Sequence, residues 1–416
     1  MGVVDTIMVG PLGPAAIGAV SVGHIFVDLI AIVGIGLLLG LDMVVSQSYG
    51  AGDMRDCDHS LWQGLFLAAA FTPVGMLAVY AVEPVLRVAG VQPSVVSLAI
   101  PYAFSLQWSV PPLLLYAAFR RYLQGISLVK PVMFALITAN IVNAFANWRL
   151  IPEFGVEGAG WATTAARVYM ALVLGFLVIS REPALLRNIP RPDFGRIREL
   201  LRLGLPAAGQ ILLEVGVFAM STLLAGRLAP EALAAHHVVL NLVGTTFMVP
   251  LGISSAGAVT VGQAIGRRDA RAAKLNGWLA IALGSVFMLV AAAVFAVVPQ
   301  RLIMLFTRNS EVLEIAVPLL SIAAVFQLFD GIQVATTGVL RGAGDTRTPM
   351  FCNLMGHWLL GLPIGYLLCF NWNYGVFGLW MGLSTGLIVV GAALVAYWAR
   401  LRLQLRSSPQ AVTHSS

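Results

Sequence analysis

Apolar runs long enough to cross a bilayer recur along the whole chain, and the polar stretches between them are short. A hydrocarbon core of about 30 Å needs about 20 apolar residues in a helix, which also satisfies its own backbone hydrogen bonds in lipid. The pattern therefore predicts an all-α integral membrane protein. Its eleven full spans are expected at residues 15–45, 60–82, 94–118, 131–151, 157–180, 203–226, 231–263, 276–299, 313–340, 348–370 and 375–399.

A shorter apolar stretch, MGVVDTIMVGPLG, precedes the first of these spans. As a helix its apolar part would rise only about 18 Å, which is too short to cross. We therefore expect a stub, or a first helix whose N-terminal part is missing.

The chain repeats itself at an offset of 216 residues. TIMVGPLGPAAIGAV from Thr6 aligns without a gap with TLLAGRLAPEALAAH from Thr222, and the same register pairs Gln47 with Gln263. The two copies are separated by an even number of helices, so they run parallel in the membrane. The repeat predicts two homologous lobes of six helices, and it maps the helix at 203–226 onto positions that would begin before Met1.

These boundaries divide the chain into four parts. They are an N-terminal lobe at 1–180 with helices 1 to 6, an Arg-rich linker at 181–202, a C-terminal lobe at 203–400 with helices 7 to 12, and a tail at 401–416. Of the 25 Lys and Arg residues, 19 fall on the side of the membrane that carries the linker and the tail. Because cytoplasmic loops are enriched in Lys and Arg, we expect the linker and the C-terminus in the cytoplasm.

The composition excludes several classes of function. Hydrophobic residues make up 59% of the chain and charged residues 11%, which leaves no room for a soluble catalytic domain. The net charge of +6 is spread between apolar segments, so nucleic-acid binding is not expected. We find no phosphate-binding loop, no H-E-x-x-H and no pairing of a nucleophile with a base, so the chain is not expected to be an enzyme or to use ATP.

Two carboxylates lie deep in predicted spans, Glu214 near the middle of 203–226 and Asp330 within 313–340. A charge at the bilayer centre costs about 2.5 to 3.5 kcal/mol on insertion scales, so such a group should face a cavity, find a partner or take up a proton. We interpret the two residues as a site for Na⁺ or H⁺ coupling. The alternative is that each only accepts hydrogen bonds from neighbouring helices.

Other polar residues in the first lobe give weaker signals. Asp5 is a third candidate for cation coupling. Asn143 and Asn147 stand one helical turn apart, where they would bind a cation, hydrogen-bond to Asp5, or join two helices. Asp28 remains ambiguous. Asp42 approaches the cytoplasmic end of its span, where we expect it to be solvated.

In the second lobe, His236 and His237 come early in their helix. Either one would titrate, or both are core or interface residues, and we include His237 as a supporting polar residue. Pro206 and Pro250 lie inside predicted spans, as does the pair Pro111-Pro112. Since proline removes a backbone hydrogen bond, we expect kinks or hinges at these positions.

Four motifs together resemble the multidrug and toxic compound extrusion (MATE) family, and its NorM-like branch in particular. They are VDTIMVGPLG, LDMVVSQSYGAGD, MVPLGISSAGAVTVGQAIGRRD and LRGAGDTRTP. The resemblance implies a bundle of twelve helices in two lobes that exports organic cations and amphiphilic drugs in exchange for Na⁺ or H⁺.

The resemblance also implies roles for particular residues. It matches Glu214 in LLEVGVF and Asp330 in FQLFDGIQV to the cation site of the C-terminal lobe, and Asp5, Asn143 and Asn147 to a site in the N-terminal lobe. No cofactor is implied beyond the coupling ion, and no metal beyond Na⁺ at Glu214 and Asp330.

Our leading hypothesis is a secondary active multidrug antiporter that works by alternating access. We expect a monomer in a bacterial inner membrane, with drug-like small molecules and the lipid bilayer as its partners. One alternative is a flippase for lipids or lipid-linked glycans, which would be expected to have a basic cavity. Another is a membrane scaffold or receptor that transports nothing and leaves the deep carboxylates without a role.

Overall fold

The protein is described here by a computed structural model covering residues 2–88, 90–187 and 189–403. Throughout these residues the regular structure is helical, which confirms the predicted all-α class. Most of the predicted tail at 401–416 lies outside the described residues.

The described part of the first half of the chain contains ten α-helices, of which the second continues into the third after a single residue. They are α1 (Gly2–Val9), α2 (Pro14–Leu38), α3 (Gly40–Gly50), α4 (Met54–Val79), α5 (Val82–Val88), α6 (Pro93–Gln107), α7 (Val110–Gly125), α8 (Lys130–Phe154), α9 (Val156–Arg181) and α10 (Ala184–Arg187).

The second half contains the longest helices of the chain. They are α11 (Phe194–Ala225), α12 (Pro230–Gly266), α13 (Ala270–Val297), α14 (Pro299–Met304), α15 (Ser310–Gly342), α16 (Arg347–Asn353), α17 (Leu362–Tyr366) and α18 (Gly375–Arg400). A wider π-helical segment, Leu354–Gly361, joins α16 to α17, and a second one, Leu367–Asn371, continues α17 to the end of the same span.

Among the described residues, ten helices are long and apolar enough to span a membrane, or eleven when the bent pair α6 and α7 is counted as one span. These correspond one to one with the eleven spans predicted from hydropathy. The stretch before them forms α1, which has eight residues. Hydropathy locates the spans because lipid accepts only segments that satisfy their backbone internally.

The predicted span at 94–118 is not one straight helix. The axes of α6 and α7 differ by 46°, with the break at Trp108 and Ser109. Pro111 and Pro112 follow the break in the first turn of α7, where the missing backbone N–H groups cannot bond back into α6. The kink expected at this proline pair is therefore present.

The second half of the predicted linker at 181–202 is helical, because α11 begins at Phe194. The side chain of Asp193 caps the start of α11: its Oδ1 accepts from the backbone N–H groups of Gly195 and Arg196 at 2.8 and 3.3 Å. His59 Nε2 lies 3.1 Å from the other carboxylate oxygen. The backbone N–H of Arg196 and the His59 imidazole hold the pKa of Asp193 below its usual range.

The chain forms two compact units. The first comprises Met1–Val45 and Met54–Ala208, and the second comprises Ser46–Asp53 and Gly209–Ser416. The division falls inside α11, and the end of α3 belongs to the second unit. The lobe boundaries drawn from the repeat remain predictions from the sequence.

Within the second unit, the end of α3 packs against the end of α12 through residues that the repeat makes equivalent. A Cβ at Gly50 would overlap the carbonyl of Gln263, and a Cβ at Gly266 would overlap the carbonyl of Gln47. Gln47 Nε2 also donates to the carbonyl of Gly342 at 3.2 Å. The sequence repeat is thus also a reciprocal contact in space.

Close packing of α12 on α15 depends on small residues. A Cβ at Gly338 would overlap the carbonyl of Ser254, and one at Gly342 would overlap the carbonyl of Ala258. Both helices therefore carry small residues four positions apart at their contact, the pattern that lets backbones approach closely in membranes.

We expect Gly338→Ala to lower the free energy of unfolding by about 1 to 3 kcal/mol, because the added methyl group must displace backbone rather than a flexible side chain. Gly252→Ala is the matched control on α12, since nothing lies within 4 Å of a Cβ there. It should be neutral or slightly stabilising, since alanine favours the helix. Denaturant unfolding in mild detergent measures both variants, and equal stability of the two would contradict the packing argument.

Candidate functional site

Asp5 on α1 is held by three side chains of the first unit. Its Oδ1 accepts from Asn143 Nδ2 at 3.1 Å and from Asn147 Nδ2 at 2.6 Å, and its Oδ2 accepts from Thr163 Oγ1 at 2.6 Å. The two asparagines are one turn apart on α8, so both amides face the same carboxylate. The contact that the sequence analysis offered between them and Asp5 is present, whereas Thr163 on α9 carried no sequence signal.

These four side chains form a buried set of oxygen donors. None of them is exposed, and the Oδ1 atoms of Asn143 and Asn147 have no hydrogen-bond partner among the described residues. An amide that rotates about its last bond exchanges an N–H donor for a carbonyl oxygen. The cluster can therefore donate to an ionised Asp5, or supply carboxylate, amide and hydroxyl oxygens to a small hard cation.

Glu214 and Asp330 form a second acidic site, within the second unit. Glu214 on α11 is half-buried and Asp330 on α15 is buried. The two carboxyl groups are close enough to interact electrostatically. The predicted pair therefore shares one site.

Amide side chains surround this pair. Gln210 Nε2 donates to Glu214 Oε2 at 2.7 Å, and Gln333, one turn beyond Asp330, also interacts with Glu214. Gln333 Nε2 in turn donates to Asn353 Oδ1 at 3.3 Å. No Lys or Arg makes a salt bridge to either carboxylate among the residues with described positions, so the site is acidic and is suited to a cation or a proton.

The two histidines on α12 differ in their surroundings. His237 is exposed and its ring packs edge-on against His236, and its role as a supporting polar residue stays a prediction. His236 is buried; Trp380 Nε1 donates to its Nδ1 at 3.0 Å, and Thr222 Oγ1 lies 3.0 Å from its Nε2. An indole N–H only donates, so His236 Nδ1 is an acceptor and the ring joins three helices as a neutral group.

Pro206 and Pro250 lie inside continuous helices. Pro206 is within α11, eight residues before Glu214, and Pro250 is buried near the middle of α12. Neither proline ends its helix, in contrast to the break before Pro111. Both remain predicted hinges.

Asp42 is not solvated as expected from its position near the end of a span. It is 1% exposed and forms an ion pair with Arg121 on α7, whose Nη1 lies 3.2 and 3.4 Å from the two carboxylate oxygens. Arg121 lies beyond the end of the predicted span 94–118, so its role could not be inferred from its own neighbourhood in sequence.

Comparison with known families agrees with this architecture. A family model described as MatE matches residues 1–149 and 206–367. The probable multidrug resistance protein NorM of Brucella suis biovar 1 is 33% identical over 416 aligned positions, and the alignment covers 95% of this chain and 88% of that relative. The protein of the same description from Pseudomonas aeruginosa is 33% identical over 417 aligned positions, covering 96% and 85%.

Solved structures share the fold. The crystal structure of the eukaryotic MATE transporter AtDTX14 superposes with a TM-score of 0.87 at 22% identity, covering 97% of this chain and 91% of that one. A MOP superfamily transporter from Pyrococcus furiosus superposes with a TM-score of 0.85 at 21% identity, covering 95% and 90%.

Proposed function

Because the chain belongs to the MATE family of multidrug efflux transporters, we propose that it exports organic cations and amphiphilic drugs in exchange for Na⁺ or H⁺. The observation that carries this proposal is the pairing of Glu214 and Asp330 in one acidic site, where neither carboxylate forms a salt bridge with a described Lys or Arg. Two deep carboxylates that were both ionised and unneutralised would be costly, so the site favours taking up a cation or a proton.

Ion binding then has a direct consequence for the transport cycle. A cation or proton at Glu214 and Asp330 reduces the net negative charge of the site, which weakens its attraction for a cationic drug. The bound ion favours the outward-open state, drug release follows, and loss of the ion resets the cycle. The second oxygen cluster around Asp5 supplies a further place where an ion can bind.

The proposed setting is a bacterial inner membrane, with the linker and the C-terminus in the cytoplasm and the chain acting as a monomer. The excess of Lys and Arg on the side of the linker supports this orientation. No cofactor is required, since the ion gradient supplies the energy.

The test is ethidium efflux from reconstituted vesicles, with Na⁺ and pH gradients imposed separately. We expect export driven by at least one of the two gradients and abolished when that gradient is dissipated. An export rate that depends on neither gradient would contradict ion coupling. Absence of drug flux under both gradients would favour a non-transporting role.

A further inference from the structure

A second group of polar side chains lies in the first unit, apart from the hydrogen bonds that hold Asp5. His24 on α2 stands between Asp28 and Tyr102: its Nε2 is 3.1 Å from Asp28 Oδ2, and its Nδ1 is 3.2 Å from the Tyr102 hydroxyl. Arg167 on α9 donates from Nη2 to Asp28 Oδ1 at 3.4 Å, and from Nη1 to Ser109 Oγ at 2.8 Å. Three helices thus converge on one imidazole and one carboxylate.

The carboxylate partner sets one hydrogen position on the imidazole. An ionised carboxylate only accepts, so His24 Nε2 carries the hydrogen that points at Asp28. The Tyr102 hydroxyl can donate to an unprotonated Nδ1 of a neutral ring, or accept from the protonated Nδ1 of an imidazolium. When a proton arrives at Nδ1, the hydroxyl needs only to turn and accept, and Asp28 balances the new charge on the ring.

The cluster is deep, yet it is open to its surroundings. Asp28 lies about 20 Å along the span that begins at Ala15, by the helical rise per residue. Even so, 39% of its side-chain surface is exposed, against 9% for Arg167. A carboxylate at such a depth is expensive to expose to lipid, and water at this open face would give a proton a path to His24.

The charged and polar side chains around His24 come from α2 itself and from three helices packed on it. Asp28 is on α2, Tyr102 is on α6 and Arg167 is on α9. On α1, the position of Gly2 is close enough that a Cβ there would lie 3.1 Å from His24 Nε2, and Asp5 follows one turn later. The charges of this neighbourhood are therefore Asp28, Arg167 and Asp5, which interacts electrostatically with Tyr102 and Arg167.

The remaining two helices that pack on α2 contribute apolar side chains. Phe71 on α4 and Leu114 on α7 both lie against Gly34 of α2. Two carboxylates against one guanidinium leave a net negative charge around His24, which suits an imidazolium.

We propose that His24 is a proton-binding site of the first unit, with Asp28 as its counter-ion and Arg167 as the fixed charge that positions Asp28. This rests on the proposed ion-coupled export and deepens it, because it makes H⁺ one of the coupling ions and gives it a site distinct from Asp5, Glu214 and Asp330. Protonation of His24 changes the charge beside α1 by one unit, and so links this site to the cluster around Asp5.

The direct test follows the imidazole and does not depend on transport. Protein labelled with ¹³C-histidine in lipid nanodiscs gives histidine signals that can be followed from about pH 5 to 8, the range in which imidazoles normally titrate. The signal that disappears in His24→Gln belongs to His24. We expect that signal to move with pH in the wild type, and its titration midpoint to shift by about one pH unit in Asp28→Asn.

A His24 signal that stays constant over this range would overturn the proposal. If His24→Gln fails to fold, Tyr102→Phe can be used instead, because it keeps the imidazole and removes the hydroxyl that contacts Nδ1. The histidine signal that changes position in this variant then belongs to His24. A His24 signal whose position does not change with pH in that variant would also contradict proton binding.

The transport test compares pH profiles of ethidium export in vesicles. In His24→Gln, the change in export rate between low and neutral pH should be about tenfold smaller than in the wild type. His414→Gln, a matched substitution in the tail outside the described residues, should keep the wild-type profile. An unchanged profile in His24→Gln would contradict the coupling role, whereas failure of ion-coupled export as a whole would show in the wild type itself.

Discussion

Asp330→Asn should reduce ion-driven export by about 10- to 100-fold, which corresponds to the usual range of coupling energies between two ligands. Asparagine keeps the shape of the side chain, but it can neither carry the charge nor take up the proton. Asp330 is buried beside Glu214, so the substitution removes one of the two acidic groups of the site without opening a cavity. The initial rate of ethidium efflux under imposed Na⁺ and pH gradients measures the effect.

Two comparisons make this experiment specific. Glu214→Gln should give a similar loss, and the double variant should lose little more, because groups that act as a unit are not additive. Glu153→Gln is the matched control: this carboxylate is half exposed and pairs with Arg149 one turn away, so export should remain at the wild-type rate. A wild-type rate in Asp330→Asn would refute coupling at this site.

Arg121→Gln should lower the free energy of unfolding by about 3 to 5 kcal/mol, the usual cost of removing one member of a buried ion pair. Arg121 and Asp42 are 8% and 1% exposed, so the pair is shielded from water. Denaturant unfolding in mild detergent, at matched protein and detergent concentrations, gives this energy.

The double variant Asp42→Asn with Arg121→Gln separates loss of the pair from loss of packing. It should be more stable than Arg121→Gln alone, because the buried charge of Asp42 is removed together with the charge that balances it. Arg149→Gln breaks an exposed pair and should cost about 1 kcal/mol or less. A double variant as unstable as Arg121→Gln would show that the charge of Asp42 is not the cause.

The spans were predictable because lipid imposes a one-dimensional rule. Each crossing needs a run of apolar residues, so α4, α13 and α18 could be located from composition alone. The limits of the rule appear at the ends of helices. The cap by Asp193 starts α11 well before its apolar run begins, and such a cap depends on backbone geometry.

The candidate sites were predictable only in part. Glu214 and Asp330 could be identified because each is an isolated charge in an apolar run. Asp42 could not be interpreted correctly, because its partner Arg121 comes from another helix and nothing within the apolar run of Asp42 indicates it. The same holds for Thr163 beside Asp5.

The sequence by itself determined that this is an all-α membrane protein, that its halves repeat, and that Glu214 and Asp330 lie within apolar runs at a cost in lipid. Those properties follow from transfer energies that each residue carries wherever it is placed. Only the tertiary structure decided which carboxylate meets amides, as Asp5 does, which meets another carboxylate, as Asp330 does, and which meets an arginine, as Asp42 does. These pairings depend on how each helix is rotated against its neighbours, and hydropathy does not specify that rotation.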